Sequence, residues 1–390
     1  MVEYMENKVL KPKIRFKGFT DTWEQRKLGK IANIIGGGTP STLVSKYWNG
    51  DINWYSPVEI GDKIFVSSSQ KKITQLGYEK SSAKLLPIGT VLFTSRAGIG
   101  NTAILAKEGC TNQGFQSIVP NKKEIDSYFI YSMTNQLKEY GEKIGAGSTF
   151  AEVSGKQMEE MPINIPKLEE QCKISQLFEK IDNLITLHQS KYDKLVNVKK
   201  ALLEKMFPKD GKNVPEIRFK GFTDTWEQRK LEGIYKFQYG EFNNNPSNGG
   251  IYPVYGANGI IGGYTNYNAE NSVIIGHMGE YAGSVLWGNG KHFVTYNGTI
   301  SKPRGENVVS KFGYYMLYQK DINKICGGSG LPFLSYEQLN KIEVCYPKDI
   351  KEQKSIANYL TNIDNLITLH QHKLEKLKNM KKSLLNKMFI

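Results

Sequence analysis

A repeating pattern of apolar residues occurs twice along the chain, once in each half. In residues 177–207 and 359–389, apolar side chains alternate at steps of four and three residues, and neither stretch contains proline or glycine. This spacing is typical of a helix that packs against a second helix. A helix over residues 169–207 is about 58 Å long at 1.5 Å per residue. The pattern predicts two long helices, and the partner we expect for each is the other.

The apolar positions define a helix-pairing seam that polar residues interrupt. His188 and Lys191 interrupt it in the first copy, and His370 and Lys373 do so in the second. Polar residues in such a seam lower stability but fix register and partner choice. The predicted seam consists of Leu177, Ile181, Leu184, Leu195, Val198, Leu202, Ile363, Leu366, Leu377, Met380 and Leu384.

The repeated helix belongs to a duplication of the whole chain. Residues 181–189 and 363–371 are identical, and so are the 15-residue segments at 14–28 and 217–231. The helices lie 182 residues apart and the 15-residue segments 203 apart, so the second copy is 21 residues shorter between these landmarks. Identical ends around different middles indicate one common frame that carries two different binding surfaces.

Between the identical ends, both middles have a pattern typical of mixed α/β domains that are rich in turns. Residues 90–94, 102–105 and 115–119 predict short strands, whereas 126–140 and 311–318 predict a helix in each middle. The predicted fold class is therefore α+β: two mixed α/β domains separated by two long helices packed as an antiparallel coiled coil, with a pseudo-two-fold internal repeat. The predicted boundaries are a tail at 1–13, domains at 14–167 and 217–348, helices at 168–207 and 349–390, and a linker at 208–216.

Composition favours a polyanionic partner without requiring one. The 390 residues include 52 Lys+Arg and 38 Asp+Glu, which gives a net charge of +14. Such a balance fits a nucleic-acid-binding surface about as well as a merely basic soluble protein. The four cysteines show no spacing typical of a disulfide framework or a zinc site, and no signal peptide or membrane-spanning run is found. We expect a cytoplasmic protein without a bound metal.

No catalytic motif is found in the sequence. It lacks the glycine-rich phosphate-binding loop, and its five histidines include no HExxH pair. We therefore predict a protein that is not an enzyme and binds no cofactor of its own. Two alternatives remain open: a coiled-coil scaffold that binds only proteins, and an S-adenosylmethionine-dependent enzyme with unrecognised motifs.

Polar side chains in the loops are the candidates for DNA contacts. Asn, Gln and Arg side chains form paired hydrogen bonds with adenine and guanine edges. For any single residue, an ordinary solvated role is the commoner one. The candidates are Ser95, Arg96, Asn101, Asn112, Gln113 and Gln116 in the first domain and His277, Tyr296, Asn297, Lys302 and Arg304 in the second. Candidates for phosphate contacts on the long helices are Lys199, Lys200, Lys381 and Lys382.

Over nearly its whole length, the chain resembles the specificity (S) subunits of Type I restriction–modification systems. The resemblance rests on the two 15-residue segments, the duplicated helix that ends in Lys-Met-Phe, the loop at 95–100, and the small-residue loops at Gly147 and Gly328. It implies two target recognition domains, each of which reads one half of a bipartite site on double-stranded DNA. Because the two domains differ, the resemblance implies an asymmetric site.

The same resemblance implies partners that supply the chemistry. S subunits have no catalytic activity and dock two methyltransferase (M) subunits, which bring S-adenosylmethionine and methylate adenine. Two restriction (R) subunits join them to form a complex that cleaves DNA with ATP and Mg²⁺. No membrane partner is expected.

Overall fold

The computed structural model describes residues 11–96, 98–145, 152–209, 211–242, 248–327 and 331–390. The chain divides into unit 1, residues Met1–Leu187 and Lys373–Ile390, and unit 2, residues His188–His372. This division falls inside both long helices, so each unit contains part of each helix. The domain boundaries predicted from the sequence stay a prediction. The small-residue loop positions Gly147 and Gly328 and the first ten residues of the predicted tail lie outside the described residues.

Unit 1 contains three sheets and several short helices. Its elements in chain order are β1 (Glu24–Lys27), β2 (Ala32–Gly36), β3 (Trp48–Tyr55), β4 (Phe65–Val66), β5 (Lys71–Ile73), α1 (Gln75–Glu79), β6 (Val91–Phe93), β7 (Thr102–Leu105), β8 (Gly109–Thr111), β9 (Gln116–Pro120), α2 (Ser127–Ser132), α3 (Thr134–Gly145), α4 (Gly155–Glu159), β10 (Pro162–Ile165) and α5 (Leu168–Met206), whose second half belongs to unit 2. The largest sheet has the order β2-β9-β6-β7-β4, the second has the order β5-β3-β8, and β1 pairs with β10.

One predicted helix of unit 1 is two helices in the structure. We expected a single helix over residues 126–140, but α2 ends before Met133 and α3 begins at Thr134. The hydroxyls of Ser132 and Thr134 donate to carbonyl oxygens of the preceding turn. Such back-bonding bends helices, and here it coincides with the break. The three strands predicted nearby are confirmed as β6, β7 and β9.

Unit 2 is built around one six-stranded sheet. Its elements are β11 (Glu227–Lys230), β12 (Tyr235–Tyr239), β13 (Tyr252–Gly256), β14 (Gly259–Tyr264), β15 (Ala269–Gly276), β16 (Val285–Val294), β17 (Gly298–Pro303), α6 (Ser310–Tyr318), α7 (Tyr336–Lys341), β18 (Glu343–Tyr346) and α8 (Ile350–Met388), whose last part belongs to unit 1. The sheet order is β12-β17-β15-β16-β13-β14, and β11 pairs with β18. Its first four strands repeat the order β2-β9-β6-β7 of unit 1.

The arginine of each identical 15-residue segment makes the same ion pair in both units. Arg15 forms two hydrogen bonds with Glu170, of 2.7 and 2.8 Å. Arg218 forms two with Glu352, of 2.6 and 2.8 Å. Both glutamates are 1% exposed. A buried carboxylate needs such a partner, because an unpaired buried charge is strongly destabilising.

A phenylalanine after each long helix packs into the core of a unit. In unit 2, Phe207 follows α5, and its ring centroid lies 6.0 Å from that of Trp226 and 5.6 Å from that of Phe312. In unit 1, Phe389 follows α8 and lies 6.0 Å from Trp23. Both tryptophans belong to the identical segments and are 3% exposed. The end of α8 thus contributes to the core of unit 1, and the end of α5 to that of unit 2.

Within unit 2 the two long helices run antiparallel. The Nδ1 atoms of His188 and His370 are 2.8 Å apart, and Lys199 Nζ lies 2.6 Å from an oxygen of Asp364. The contact therefore shifts to a lower residue number on α8, from 370 to 364, as the residue number on α5 rises from 188 to 199. Two ring nitrogens at this distance form a hydrogen bond in which one donates and the other accepts.

Unit 1 repeats the antiparallel arrangement. Phe178 on α5 lies 6.0 Å from Phe389, and one turn later Asp182 forms an ion pair of 2.7 Å with Lys381. The predicted antiparallel pairing is confirmed in both units. Lys199 and Lys381 were considered above for contacts with phosphate. In the structure each forms an ion pair with an aspartate.

The predicted seam is buried unevenly. Ile181 and Ile363 are buried, at 3% and 6% exposure, whereas four others are 38–44% exposed: Leu184, Val198, Leu366 and Met380. The remaining predicted seam residues, Leu177, Leu195, Leu202, Leu377 and Leu384, are half-buried. In the first turns of each long helix, the buried stripe follows a spacing of three and four residues toward the core of its unit: Ile174, Phe178 and Ile181 in α5, and Ile356, Leu360 and Ile363 in α8. The seam as a set stays a prediction.

Candidate nucleic-acid interface

Three backbone segments of unit 1 meet at Ser95, just after β6. The Ser95 N–H donates to the Gly114 carbonyl oxygen at 2.8 Å, and the Ser95 carbonyl accepts from the Val153 N–H at 3.0 Å. The next residue, Arg96, forms an antiparallel bridge with Glu152. The first junction is defined here as Ser95, Arg96, Gln113 and Glu152. It lies where the loop before β9 and the loop before α4 approach the end of β6.

Unit 2 has the same backbone arrangement at His277, just after β15. The His277 N–H donates to the Asn297 carbonyl oxygen at 3.1 Å, and the His277 carbonyl accepts from the Leu334 N–H at 2.7 Å. Met278 bridges Phe333 as Arg96 bridges Glu152 in unit 1. The second junction is defined as His277, Met278, Tyr296 and Phe333. The two junctions share their hydrogen bonds but none of their side chains.

The side chains of the second junction form an aromatic cluster. The His277 ring stacks on Tyr239 with centroids 4.3 Å apart, and Tyr239 stacks on Tyr336 at 4.0 Å. The rings of Tyr296 and Phe333 meet His277 edge-on at 5.3 and 5.8 Å. Tyr296 is 48% exposed and Phe333 is 41% exposed. An apolar surface of this kind suits contact with base faces or thymine methyl groups.

The first junction offers hydrogen-bonding groups instead. Arg96 is half-buried, and Gln113 and Glu152 are exposed. The Gln113 side chain hydrogen-bonds with the Thr39 hydroxyl. Arginine, glutamine and glutamate are side chains that read guanine, adenine and cytosine edges. Asn112 has a structural role, because its side-chain oxygen accepts from the Gly114 N–H at 2.8 Å.

The central residue of each junction is a buried polar group. Ser95 and His277 are both 0% exposed. Within the part of the chain that the structure describes, the Ser95 Oγ has no hydrogen-bond partner, and neither ring nitrogen of His277 makes a hydrogen bond of normal geometry, although the imidazole interacts weakly with the Asn297 backbone. Burial lowers the pKa of His277 from its ordinary value, and the nearby Asn297 backbone opposes this only in part. The imidazole is therefore neutral near pH 7, with one donor and one acceptor nitrogen.

The other predicted DNA contacts are spread over both units. Asn101 is exposed, and its N–H donates to the Thr94 hydroxyl at 2.9 Å; Gln116 is half-buried at the start of β9. Lys302 and Arg304 lie at the end of β17 that is remote from Asn297, roughly 20 Å away along the strand. These two residues therefore lie away from the second junction. Whether any of the candidates contacts DNA stays a prediction.

Three junction residues were missed by the sequence analysis: Met278, Phe333 and Glu152. The common offset of 182 residues between the helices also aligns Ser95 with His277 and Arg96 with Met278, so Met278 had a usable signal. Glu152 and Phe333 lie beside small-residue loops, where the chain gives no periodic signal. Only the strand-like bridges of the folded chain bring them to the junctions.

The described residues give no indication of a metal site or a membrane span. No group of three or more His, Cys, Asp or Glu side chains in these ranges lies close enough to bind a metal. No helix in the same ranges is long and apolar enough to cross a bilayer. All four cysteines are free thiols, and Cys110 is buried.

Comparison with solved structures supports the architecture described above. The crystal structure of a Type I restriction–modification system S subunit from M. genitalium matches with a TM-score of 0.73. The match covers 97% of this chain and 99% of that chain, at 18% sequence identity. At this identity, the similarity concerns the fold alone.

Sequence comparisons identify the family. Two Methanocaldococcus jannaschii proteins are similar: the Type I restriction enzyme MjaIX specificity subunit, 33% identical over 56% of this chain, and the MjaVIII specificity subunit, 22% identical over 94%. The first match spans about half of the relative, 52%, and the second spans 92%. The family model of the Type I restriction modification DNA specificity domain matches residues 20–197 and 223–379. The chain therefore belongs to the family of Type I restriction–modification DNA specificity subunits, and it contains two copies of the family's domain.

Proposed function

We propose that this chain selects the DNA site of a Type I restriction–modification complex, and that each unit reads one half of a bipartite, asymmetric site. One observation carries the proposal: the two junctions share a backbone arrangement and differ in every side chain. A common frame with different exposed groups is what two half-sites of different sequence require. The net charge of +14 adds a sequence-independent attraction to phosphate.

The chemistry of the complex belongs to partner subunits in this proposal. The chain binds double-stranded DNA in the cytoplasm and positions it, without a catalytic role of its own. S-adenosylmethionine is bound by two methyltransferase subunits, and ATP and Mg²⁺ are used by restriction subunits. In this proposal, binding at the junctions selects the DNA site. The methyltransferase subunits then methylate an adenine within that site.

The duplicated helix offers two equal surfaces for the methyltransferase subunits. Leu184 and Leu187 are 44% and 47% exposed, and their counterparts Leu366 and Leu369 are 44% and 46% exposed. Large aliphatic side chains at adjacent turns, exposed in both copies, are typical of a surface that a partner covers. Because both lie in the identical block, two copies of one subunit would meet the same residues.

Sequencing of methylated adenines in a host genome tests the proposal. The chain is expressed together with its methyltransferase subunit in a host that has no Type I system. We expect one motif with two specific parts of different sequence and an unspecified gap between them. A host that expresses the methyltransferase alone is the control and should lack that motif. A continuous motif, two identical half-sites, or methylation that does not depend on this chain would refute the proposal.

A further inference from the structure

We infer that the central side chain of each junction, Ser95 in unit 1 and His277 in unit 2, forms a hydrogen bond with a DNA base in the half-site that its unit reads. This inference rests on the proposed function and assigns it to two residues. It requires the exposed side chains around each centre to shift when DNA binds. In unit 2 these are Tyr296 and Phe333, whose rings meet the imidazole edge-on.

Unpaired buried polar atoms are the first support for the inference. A buried hydroxyl or imidazole without a partner destabilises the free protein, and such groups are few in folded proteins. Here Ser95 and His277 occupy the same backbone position in the two units. In each case the backbone N–H donates to the loop before a strand, and the carbonyl oxygen accepts from a neighbouring loop. A defect of packing has no reason to recur at equivalent positions with different side chains.

The second support is the chemistry of the two groups. A serine hydroxyl donates and accepts, and a neutral imidazole has one nitrogen of each kind. Base edges in the major groove present both donors and acceptors, so either side chain can discriminate between bases. In unit 2 the imidazole contacts the partly exposed rings of Tyr296 and Phe333, and in unit 1 Ser95 precedes Arg96, the half-buried residue of the first junction.

Other unpaired buried hydroxyls provide matched controls. Ser117 lies within β9 of unit 1 and Ser301 within β17 of unit 2, and both are buried without a partner among the described residues. Both lie within strands and outside the two junctions. Their replacement by alanine removes an unpaired hydroxyl of the same kind, but outside the junctions.

The experiment is selection of DNA by the full chain in complex with its methyltransferase subunit. The complex is incubated with a pool of random duplexes, and the bound fraction is sequenced. The variants are Ser95→Ala and His277→Phe, with Ser117→Ala and Ser301→Ala as controls. We expect Ser95→Ala to lose base preference in one half-site only and His277→Phe in the other half-site only. Affinity for the wild-type duplex should fall about tenfold in each case.

Thermal unfolding separates a reading role from a structural one. Because each substitution removes an unpaired polar group, the melting temperature should stay equal or rise. His277→Gln, which keeps a donor and an acceptor, should recover preference in its half-site. The inference is overturned if the junction variants select the wild-type motif, if the controls lose the same positions, or if preference is lost in both half-sites together with a lower melting temperature. Failure of the wild-type complex to select any bipartite motif would instead refute the proposed function.

Discussion

Replacement of Phe207 or Phe389 by alanine tests whether the end of each long helix completes the core of a unit. Phe207 is 2% exposed and packs on Trp226 and Phe312. A buried Phe→Ala substitution costs about 3–5 kcal/mol, because it removes apolar contacts and leaves a cavity. Phe389 is only half-buried, so the expected loss for Phe389→Ala is about half as large.

The two variants differ in where they act, and this is the stronger part of the prediction. Phe207→Ala should loosen unit 2, although the first part of α5 belongs to unit 1. Phe389→Ala should loosen unit 1, to which residues 373–390 belong. For a unit of this size, 1 kcal/mol shifts the melting temperature by about 2–4 °C, so Phe207→Ala should lower it by roughly 10 °C.

Thermal unfolding combined with amide hydrogen exchange read by mass spectrometry measures both effects. Faster exchange is expected in β11 and β18 for Phe207→Ala, and in β1 and β10 for Phe389→Ala, because these strand pairs flank the affected cores. Phe207→Leu is the control, since it keeps most of the buried volume and should cost less than about 1.5 kcal/mol. If Phe389→Ala loosened unit 2 while unit 1 kept its protection, the assignment of the helix ends would be wrong.

Three further perturbations follow from the contacts. Arg218→Ala leaves Glu352 buried without a partner and should cost about 3–5 kcal/mol in urea unfolding; a loss below 1 kcal/mol would contradict this. Burial lowers the pKa of Lys311 to about 8 from 10.5, so the unfolded chain binds more protons between these pH values and stability rises with pH there. Lys311→Met should therefore be more stable than wild type at pH 7, with a gap in melting temperature that narrows above pH 8; a constant gap would refute this. Replacing Leu187 and Leu369 by glutamate should weaken copurification of the methyltransferase subunit and leave the melting temperature unchanged; an unchanged yield would exclude this surface.

The sequence predicted best the features that have a clear local pattern, above all the long helices that occur in both copies. The long helices have a regular spacing of apolar residues and no proline or glycine, and the structure has them at Leu168–Met206 and Ile350–Met388. Strand β7 coincides with its predicted range because four apolar or β-branched residues stand between turns. These patterns are local, so the helices and the strand can be predicted from them without knowledge of the tertiary contacts.

The features that the sequence did not indicate depend on contacts between distant residues. The heptad spacing places Ile181 and Leu184, and their counterparts Ile363 and Leu366, in the seam. Only the two isoleucines are buried, because the first turns of each helix face the core of a globular unit. Lys302 and Arg304 share a polar character with Asn297, yet Lys302 lies near the far end of strand β17 and Arg304 follows that strand. Neither outcome follows from composition or from periodicity.

The contrast between the frame and the junctions explains why the ends of the two copies are repeated and their middles are not. Three parts of the 15-residue segment have a partner within their own unit. The arginine pairs with a buried glutamate, the tryptophan packs against the phenylalanine after a long helix, and the strand pairs with the strand before the long helix. A change at any of these positions costs stability in its unit. At the junctions, by contrast, the hydrogen bonds are made by backbone atoms, so Arg96 can stand where Met278 stands and Glu152 where Phe333 stands without loss of the fold. A frame that accepts two different sets of side chains at its junctions fits the proposed function, in which one architecture reads two different half-sites.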